Sequence, residues 1–173
     1  LYVSNYRAAE TTFSLITQVV GRAGRGEQTG AALIQTMTPE HPVIRLAARQ
    51  DYDAFYEMEI AIRELHRCPP FADLFFITFT GLYEDRVMQA AGRFRDMLRA
   101  QLKQAAFLES PATLLGPAPC AVAKINYTYR YRLTLAAKNS KPLRQMLASC
   151  LRAFAKEKQN RGVNAYADVN SYD

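Results

Sequence analysis

Apolar residues recur along this chain at two spacings, and the change from one to the other comes before the middle. In "AAETTFSLITQVV", Phe13, Ile16, Val19 and Val20 stand three and four apart, which predicts a helix that ends at Gly21. The short apolar run "GAALIQT" (30–36) follows a glycine turn and reads as a strand. "PEHPVIRLAARQ" reads as a short helix, after which Asp51 is placed to cap a third, "YDAFYEMEIAIRELHR". Phe55, Met58, Ile62 and Leu65 would give that helix its apolar stripe. "CPPF" (68–71) then stops it, because neither proline carries an N–H and each restricts the residue before it. A boundary is expected here, dividing residues 1–70 from residues 71–173.

Beyond the boundary the elements follow in a clear order. "ADLFFITFT" (72–80) predicts a strand, and 83–106 a helix with Val87, Ala91, Phe94, Leu98 and Leu102 on one face. "TLLGPAPCAVAKI" (113–125) reads as a strand interrupted by Gly-Pro-Ala-Pro. "YTYRYRLTLA" (127–136) alternates strictly: Tyr127, Tyr129, Tyr131, Leu133 and Leu135 face one way, and Thr128, Arg130, Arg132 and Thr134 the other. A helix over 142–157 groups Leu143, Met146, Leu147, Cys150, Leu151 and Phe154 against Lys141, Arg144, Arg152 and Lys156. A strand over 163–169 closes the series. The order β-α-β-β-α-β predicts a ferredoxin-like α+β domain, an antiparallel sheet with both helices on one face. Cys150 then belongs to the core and is no nucleophile.

Charge sharpens this picture. The net charge is +6, yet residues 1–119 hold 12 basic and 13 acidic groups. Residues 120–161 hold ten basic groups against Glu157 alone. A field so uneven favours a polyanionic partner, nucleic acid or an acidic peptide, over a merely solvated face. There is no apolar run of 18 residues, so no membrane span is expected. Cys68, Cys120 and Cys150 form no C-x-x-C knuckle and read as reduced cytosolic thiols, which places the protein in the cytoplasm. A start at Leu1, without a leader, reads as a piece of something longer.

The chemistry concentrates in "QVVGRAGRG" (18–26). Arginine is a permanently charged, planar fork of donors suited to phosphate, and an arginine aimed at a γ-phosphate stabilises charge in the transition state. Yet no G-x-x-x-x-G-K-[ST] cradle is present, so Arg22 and Arg25 would complete a site whose other half lies elsewhere. A flexible basic loop is the plainer alternative.

The spacing Q-x-x-G-R-x-G-R resembles the sixth motif of superfamily 2 helicases, which reaches from the second RecA-like lobe toward ATP on the first. The order "RAAETTFSLITQVVGRAGRG", "GAALIQT", "PEHPVI", "DYDAFYEMEIAIRE", "PPF", "GPAP" and "ADVN" resembles the C-terminal portion of the primosomal protein N′ (PriA) family of bacterial replication-restart helicases. The likeness runs over nearly all of the chain. It implies that Arg22 and Arg25 face ATP with its Mg2+, that Gln18 with Gly21 makes the interlobe contact, and that 1–70 is the end of a RecA-like lobe. It further implies a 3′→5′ DNA helicase that restarts stalled forks with other primosome proteins, inactive as this segment alone. The family's zinc cysteines lie upstream, and none of the three cysteines here matches them. Cys68 stands where an aromatic is usual before Pro-Pro-Phe, and Ser171 where a proline often follows "DVN".

Residues 71–173 then correspond to a domain that meets branched and single-stranded DNA and the acidic tail of single-stranded DNA-binding protein. Lys124, Arg130, Arg132 and Lys138 are the phosphate candidates, while most of the tyrosines are read as core. Lys141, Arg144 and Gln145 begin the last helix, whose free N–H groups suit a carboxylate. The resemblance gives that tail to Lys141 and Gln145. From a different class, the alternative is a non-enzymatic adaptor that docks nucleic acid or protein, with "GRAGRG" as an accessory loop.

Overall fold

The computed structural model describes residues 5–23, 31–104 and 111–171. Their contacts fall into two units that divide between His66 and Arg67.

The first unit is helical. Helix α1 (Ala8–Ala23), α2 (Pro42–Ala48) and α3 (Tyr52–Leu65) bury a small core of Phe13, Val43, Ala47 and Phe55. The Phe13 and Phe55 rings stack at 4.1 Å. Proline at the first turn of α2 sacrifices an N–H that has no partner there anyway, and His41 Nδ1 accepts from Val43 N at 3.3 Å. Asp51 caps α3 as its position predicts, its Oδ1 accepting from Ala54 N at 3.1 Å.

Three expectations for this unit are corrected. Helix α1 does not end at Gly21 but runs on through Arg22 to Ala23; one glycine costs a helix only about 1 kcal/mol, too little to stop it. Residues 31–36 of "GAALIQT" form no strand. A lone strand leaves its backbone groups without partners, and the described residues of this unit include no other strand to pair with. On α3, Ile62 and Leu65 are exposed. The buried stripe runs instead through Phe55 and Glu59.

The second unit carries strands β1 (Asp73–Gly81), β2 (Thr113–Ile125), β3 (Thr128–Ala137) and β4 (Val163–Val169). Helix α4 (Glu84–Leu102) joins β1 to β2, and α5 (Lys141–Lys156) with a short 3-10 turn (Lys158–Asn160) joins β3 to β4. All pairings are antiparallel, in the sheet order β2-β3-β1-β4. Each β-α-β half thus brings its second strand beside the other half's first, as the predicted split arrangement requires. The molecule is α+β.

Alternation decides which face meets the helices. Phe75, Ile77 and Phe79 of β1 and Tyr131, Leu133 and Leu135 of β3 pack with Val87, Ala91, Phe94 and Leu98 of α4 and Leu143, Met146, Leu147, Cys150 and Phe154 of α5. The rings of Phe79, Phe94 and Phe154 meet edge-on, pairwise at 5.3, 5.5 and 5.7 Å. The tyrosines divide. Tyr131 is buried with its hydroxyl donating to Glu84 at 2.9 Å, Tyr129 is partly buried, and Tyr127, in the β2–β3 turn, is 82% exposed.

Gly-Pro-Ala-Pro does not interrupt β2. It is absorbed by register shifts, one between Leu115 and Ala118 and a second after Pro119. Gly116 is needed there: its φ is +93°, and a Cβ would lie 2.7 Å from the Arg132 carbonyl oxygen.

Two outcomes test this packing. Phe94→Ala removes the ring shared by both partners in the cluster and should lower stability by about 3–5 kcal/mol in denaturant unfolding. Burial pushes the Cys150 thiol above its ordinary pKa, so a thiol reagent at about pH 8 should label Cys68 first and Cys150 only as the chain unfolds.

Candidate functional site

Gln18, Gly21 and Arg22 occupy the last turns of α1 at i, i+3 and i+4, which brings them to one side of the helix. All three are exposed. Arg22 makes no ion pair or hydrogen bond among the described residues, and it sits at the helix's negative end, where a cation is favoured. Nothing in the packing demands Gly21: a Cβ there would meet only the end of the Gln50 side chain, at 3.9 Å. A glycine retained in a helix against its propensity, beside an uncommitted arginine, leaves room for a close approach to the backbone. Arg25 lies outside the described residues.

Gln18 also lines a cavity of about 390 Å³ between α1 and α3, walled by Phe13, Tyr52, Phe55 and Tyr56. Its polar side is an ion network that sequence patterning missed. Arg63 Nε donates to Glu59 and Nη2 to Glu10, each at 2.9 Å. Burial works against the Arg63 charge, but the bonds to Glu10 and Glu59 outweigh it and hold its pKa above the ordinary value. The i, i+4 spacing of Glu59 and Arg63 was visible in the sequence; their burial was not.

In the second unit the phosphate candidates do not share one face. Register pairs Lys124 with Tyr129, so both project to the same side as Tyr131. Lys124 Nζ lies 3.2 Å from the Tyr129 hydroxyl and 4.4 Å from the ring centroid. Arg130 and Arg132 project from the opposite face, in rows with Thr80 and Asn164 and with Thr78 and Tyr166. The Arg132 guanidinium lies over Phe76 at 4.9 Å. Lys138 is exposed beyond the far end of β3, about 30 Å along the strand from Tyr129. The structure therefore brings Arg130 and Arg132 together and leaves Lys124 and Lys138 at separate corners.

Lys141, Arg144 and Gln145 are all exposed at the start of α5. Ser140 caps this helix, its Oγ accepting from Leu143 N at 3.3 Å. A polar chain fixes the approach. Asn170 donates through Nδ2 to Asp73 at 2.7 Å, Asp73 accepts from Asn139 N at 3.2 Å, and Asn139 Oδ1 accepts from Arg144 at 2.6 Å. Asn170 also pairs its backbone N–H and its Oδ1 with Leu74, at 2.8 and 2.9 Å. The closing "DVN" thus ties β4 to β1 and, through Asp73, to the loop before α5. Beside Gln145, a groove of about 380 Å³ runs between α4 and α5, with Met97, Pro142, Met146 and Cys150 among its walls.

Among the described residues no group of three or more His, Cys, Asp or Glu side chains could hold a metal ion, and no helix is long and apolar enough to cross a membrane.

Residues 64–172 match the family model described as the primosomal protein N C-terminal domain. The chain is 40% identical over 151 residues to the replication restart protein PriA of Chlamydia pneumoniae, which covers 87% of this chain and 19% of that protein. It is 33% identical to the replication restart protein PriA of Bacillus subtilis over 99% of this chain and 21% of the relative. For that of Treponema pallidum the identity is 35%, over 98% of this chain and 24% of the relative. The chain spans about a fifth of the length of these curated relatives. It belongs to the replication restart protein PriA family and is its C-terminal part.

Proposed function

We propose that this chain is the C-terminal piece of an ATP-dependent DNA helicase acting at stalled replication forks. In this reading it supplies the arginine half of the ATPase site together with a domain for DNA and protein partners. The observation that carries the reading is Arg22, exposed on the last turn of α1 beside Gln18 and Gly21 and committed to no carboxylate among the described residues.

Segment 31–36 supports it. Leu33 is 98% exposed and Met37, just beyond, 95% exposed, an arrangement suited to a strand that pairs with a sheet belonging to another part of the protein. On this view residues 1–70 are the end of a RecA-like lobe. Arg22, with Arg25 nearby in sequence, would touch the nucleotide's phosphates and stabilise charge as the γ-phosphoryl group leaves. Bound ATP supplies the phosphoanhydride whose cleavage drives movement, with the 3′→5′ polarity that the family resemblance implies. The P-loop lysine, the activating carboxylate and the Mg2+ ligands belong to the other lobe. Among the described residues no ligand set for a zinc ion gathers; the zinc that the family resemblance implies is assigned to cysteines upstream.

The second unit serves partners. Arg130 and Arg132 contact phosphates from the sheet's open face, while Lys124, on the opposite side, and Lys138, beyond the end of β3, offer separate contacts. Lys141 and Gln145, beside the Arg144 that Asn139 holds, receive the acidic tail of single-stranded DNA-binding protein, whose apolar side chains enter the groove walled by Met97, Pro142 and Met146.

In the full-length protein, Arg22→Ala should reduce DNA-stimulated ATPase turnover by about a thousandfold or more while leaving DNA affinity unchanged; undiminished turnover removes the arginine from the mechanism. The 173-residue chain alone should hydrolyse no ATP. Lys141→Glu should weaken binding of an acidic-tail peptide by about tenfold, ~1.4 kcal/mol, measured by titration calorimetry, and equal affinity would refute that assignment.

A further inference from the structure

One concavity of the second unit lies apart from every residue considered above. Its lining, about 460 Å³ in volume, is Arg86, Gln89 and Arg93 from α4 with Lys158, Gln159 and Arg161 from the 3-10 turn and its exit. Four cations and two amides face it, and no carboxylate and no apolar side chain lines it. None of the four cations is in an ion pair among the described residues. Basic side chains crowd together in this way at a cost in mutual repulsion, which an anion would offset.

The cluster is held in place. Arg86 and Arg93, seven residues apart, lie on one face of α4. Arg93 Nη2 donates to Asn160 Oδ1 at 2.6 Å and to the Gln159 carbonyl at 3.3 Å. Asn160 is 3% exposed, and its own amide donates to the Phe154 carbonyl and to Glu157, each at 3.0 Å. Glu157, next to Lys158, accepts from the Asn160 amide at 3.0 Å and the Gln159 amide at 2.9 Å, and neither it nor Asp85, next to Arg86, is ion-paired with the four cations among the described residues. On α4, Glu84 is taken by the Tyr131 hydroxyl at 2.9 Å. The Arg93 Nε is buried and makes no hydrogen bond among the described residues, an unspent donor in a wall of the site.

Behind the turn, the backbone is fixed by two glycines. Gly162 follows Arg161 with φ +87°, and a Cβ on Gly81 would approach the Gly162 carbonyl to 2.9 Å. At the rim, Arg86 lies over the Tyr83 ring at 5.3 Å, and Tyr83 is 66% exposed.

We propose that Arg86, Arg93, Lys158 and Arg161 form a binding site for the phosphodiester backbone of single-stranded DNA, with Tyr83 at the rim to stack on a base. Forked guanidinium groups suit phosphate oxygens, and an exposed ring beside a basic channel is the usual support for an unpaired base. An acidic peptide is the poorer fit, because its apolar side chains find no wall here, whereas the groove beside Gln145 provides one. The site lies on the helical side of the sheet, so a strand held here is not the one lying across Arg130 and Arg132. The proposal rests on the reading of the second unit as a DNA-binding domain.

The test uses the 173-residue chain and a fluorescent oligothymidylate, with affinity followed by anisotropy across a range of NaCl concentrations. The double variant Arg86→Gln, Arg161→Gln should bind about tenfold more weakly at about 0.1 M salt, and the slope of log affinity against log salt should fall by about 1.4. Arg152→Gln with Lys156→Gln, the same charge change on the exposed side of α5, should leave that slope unaltered. An equal change in both variants assigns the effect to net charge and overturns the site. So does oligonucleotide affinity that survives in the first variant while binding of inorganic phosphate or an acidic peptide is lost. Should the first variant melt below the parent, modification of the parent by phenylglyoxal decides: the oligonucleotide must protect Arg86 and Arg161, and unprotected arginines overturn the proposal. A parent chain that binds no oligonucleotide at all refutes the DNA-binding reading itself.

Discussion

The second unit depends on one interaction, the meeting of Phe79, Phe94 and Phe154. Each ring comes from a different element, and each touches the other two edge-on, the arrangement that sets the positive edge of one ring against the negative face of the next. Through that contact both helices are pinned to the sheet's central strand β1. Two basic sites are fixed by this anchoring. Arg86 and Arg93 project from α4 because Val87, Ala90, Ala91 and Phe94 turn its other side to the sheet. Lys141, Arg144, Arg152 and Lys156 are exposed on α5 for the same reason. A core with no room for charge places the basic groups at the edges of the helix layer.

Edges are where irregular backbone is tolerated, and the structure uses it there. The Asp73–Asn139–Arg144 chain before α5 and the Asn160 bridge after it do the same job at opposite ends of one helix. The first uses a carboxylate to satisfy a loop N–H, and the second a side-chain amide to satisfy the Phe154 carbonyl near the end of the helix. Each also holds an arginine that would otherwise sample many rotamers, which lowers the entropy lost on binding an anion.

Most of the second unit, and the start of α3 in the first, could be read from the sequence because their patterns are local. Strict alternation in β3, the heptad-like stripe of α5 and the Asp51 cap on α3 are each decided within a few residues. What failed depended on partners outside the local window. "GAALIQT" has the composition of a strand but no neighbour in its unit to pair with. Glycine at 21 looked like a stop, although its small helical penalty is outweighed by the residues around it, and α1 runs on. Lys124 and Arg130 stand together among the phosphate candidates, but the register of β2 on β3 sends them to opposite faces. The cluster around Arg93 escaped notice because its halves lie more than 60 residues apart, joined only by Asn160. Arg22 and Gln18 were legible as a motif; that they are exposed and unspent was not.

In both units arginines are kept away from carboxylates while other arginines are not. Arg63, Arg45 and Arg95 each find an acidic partner at 2.8 or 2.9 Å, so the chain does not lack carboxylates with which to neutralise its cations. Arg22 in one unit and Arg86, Arg93 and Arg161 in the other are left without such a partner among the described residues. Neutralising them would cost nothing in core packing, since all four lie outside the two hydrophobic clusters. A surface ion pair contributes so little, about 0–1 kcal/mol, that stability alone gives no reason for either choice. Arg49, Arg99 and Arg152 are likewise without an ion pair among the described residues, so the lack of a pair permits phosphate binding without by itself marking a site. An arginine paired in its own fold must give up that pairing before it can bind a phosphate, whereas an unpaired one binds with its full field.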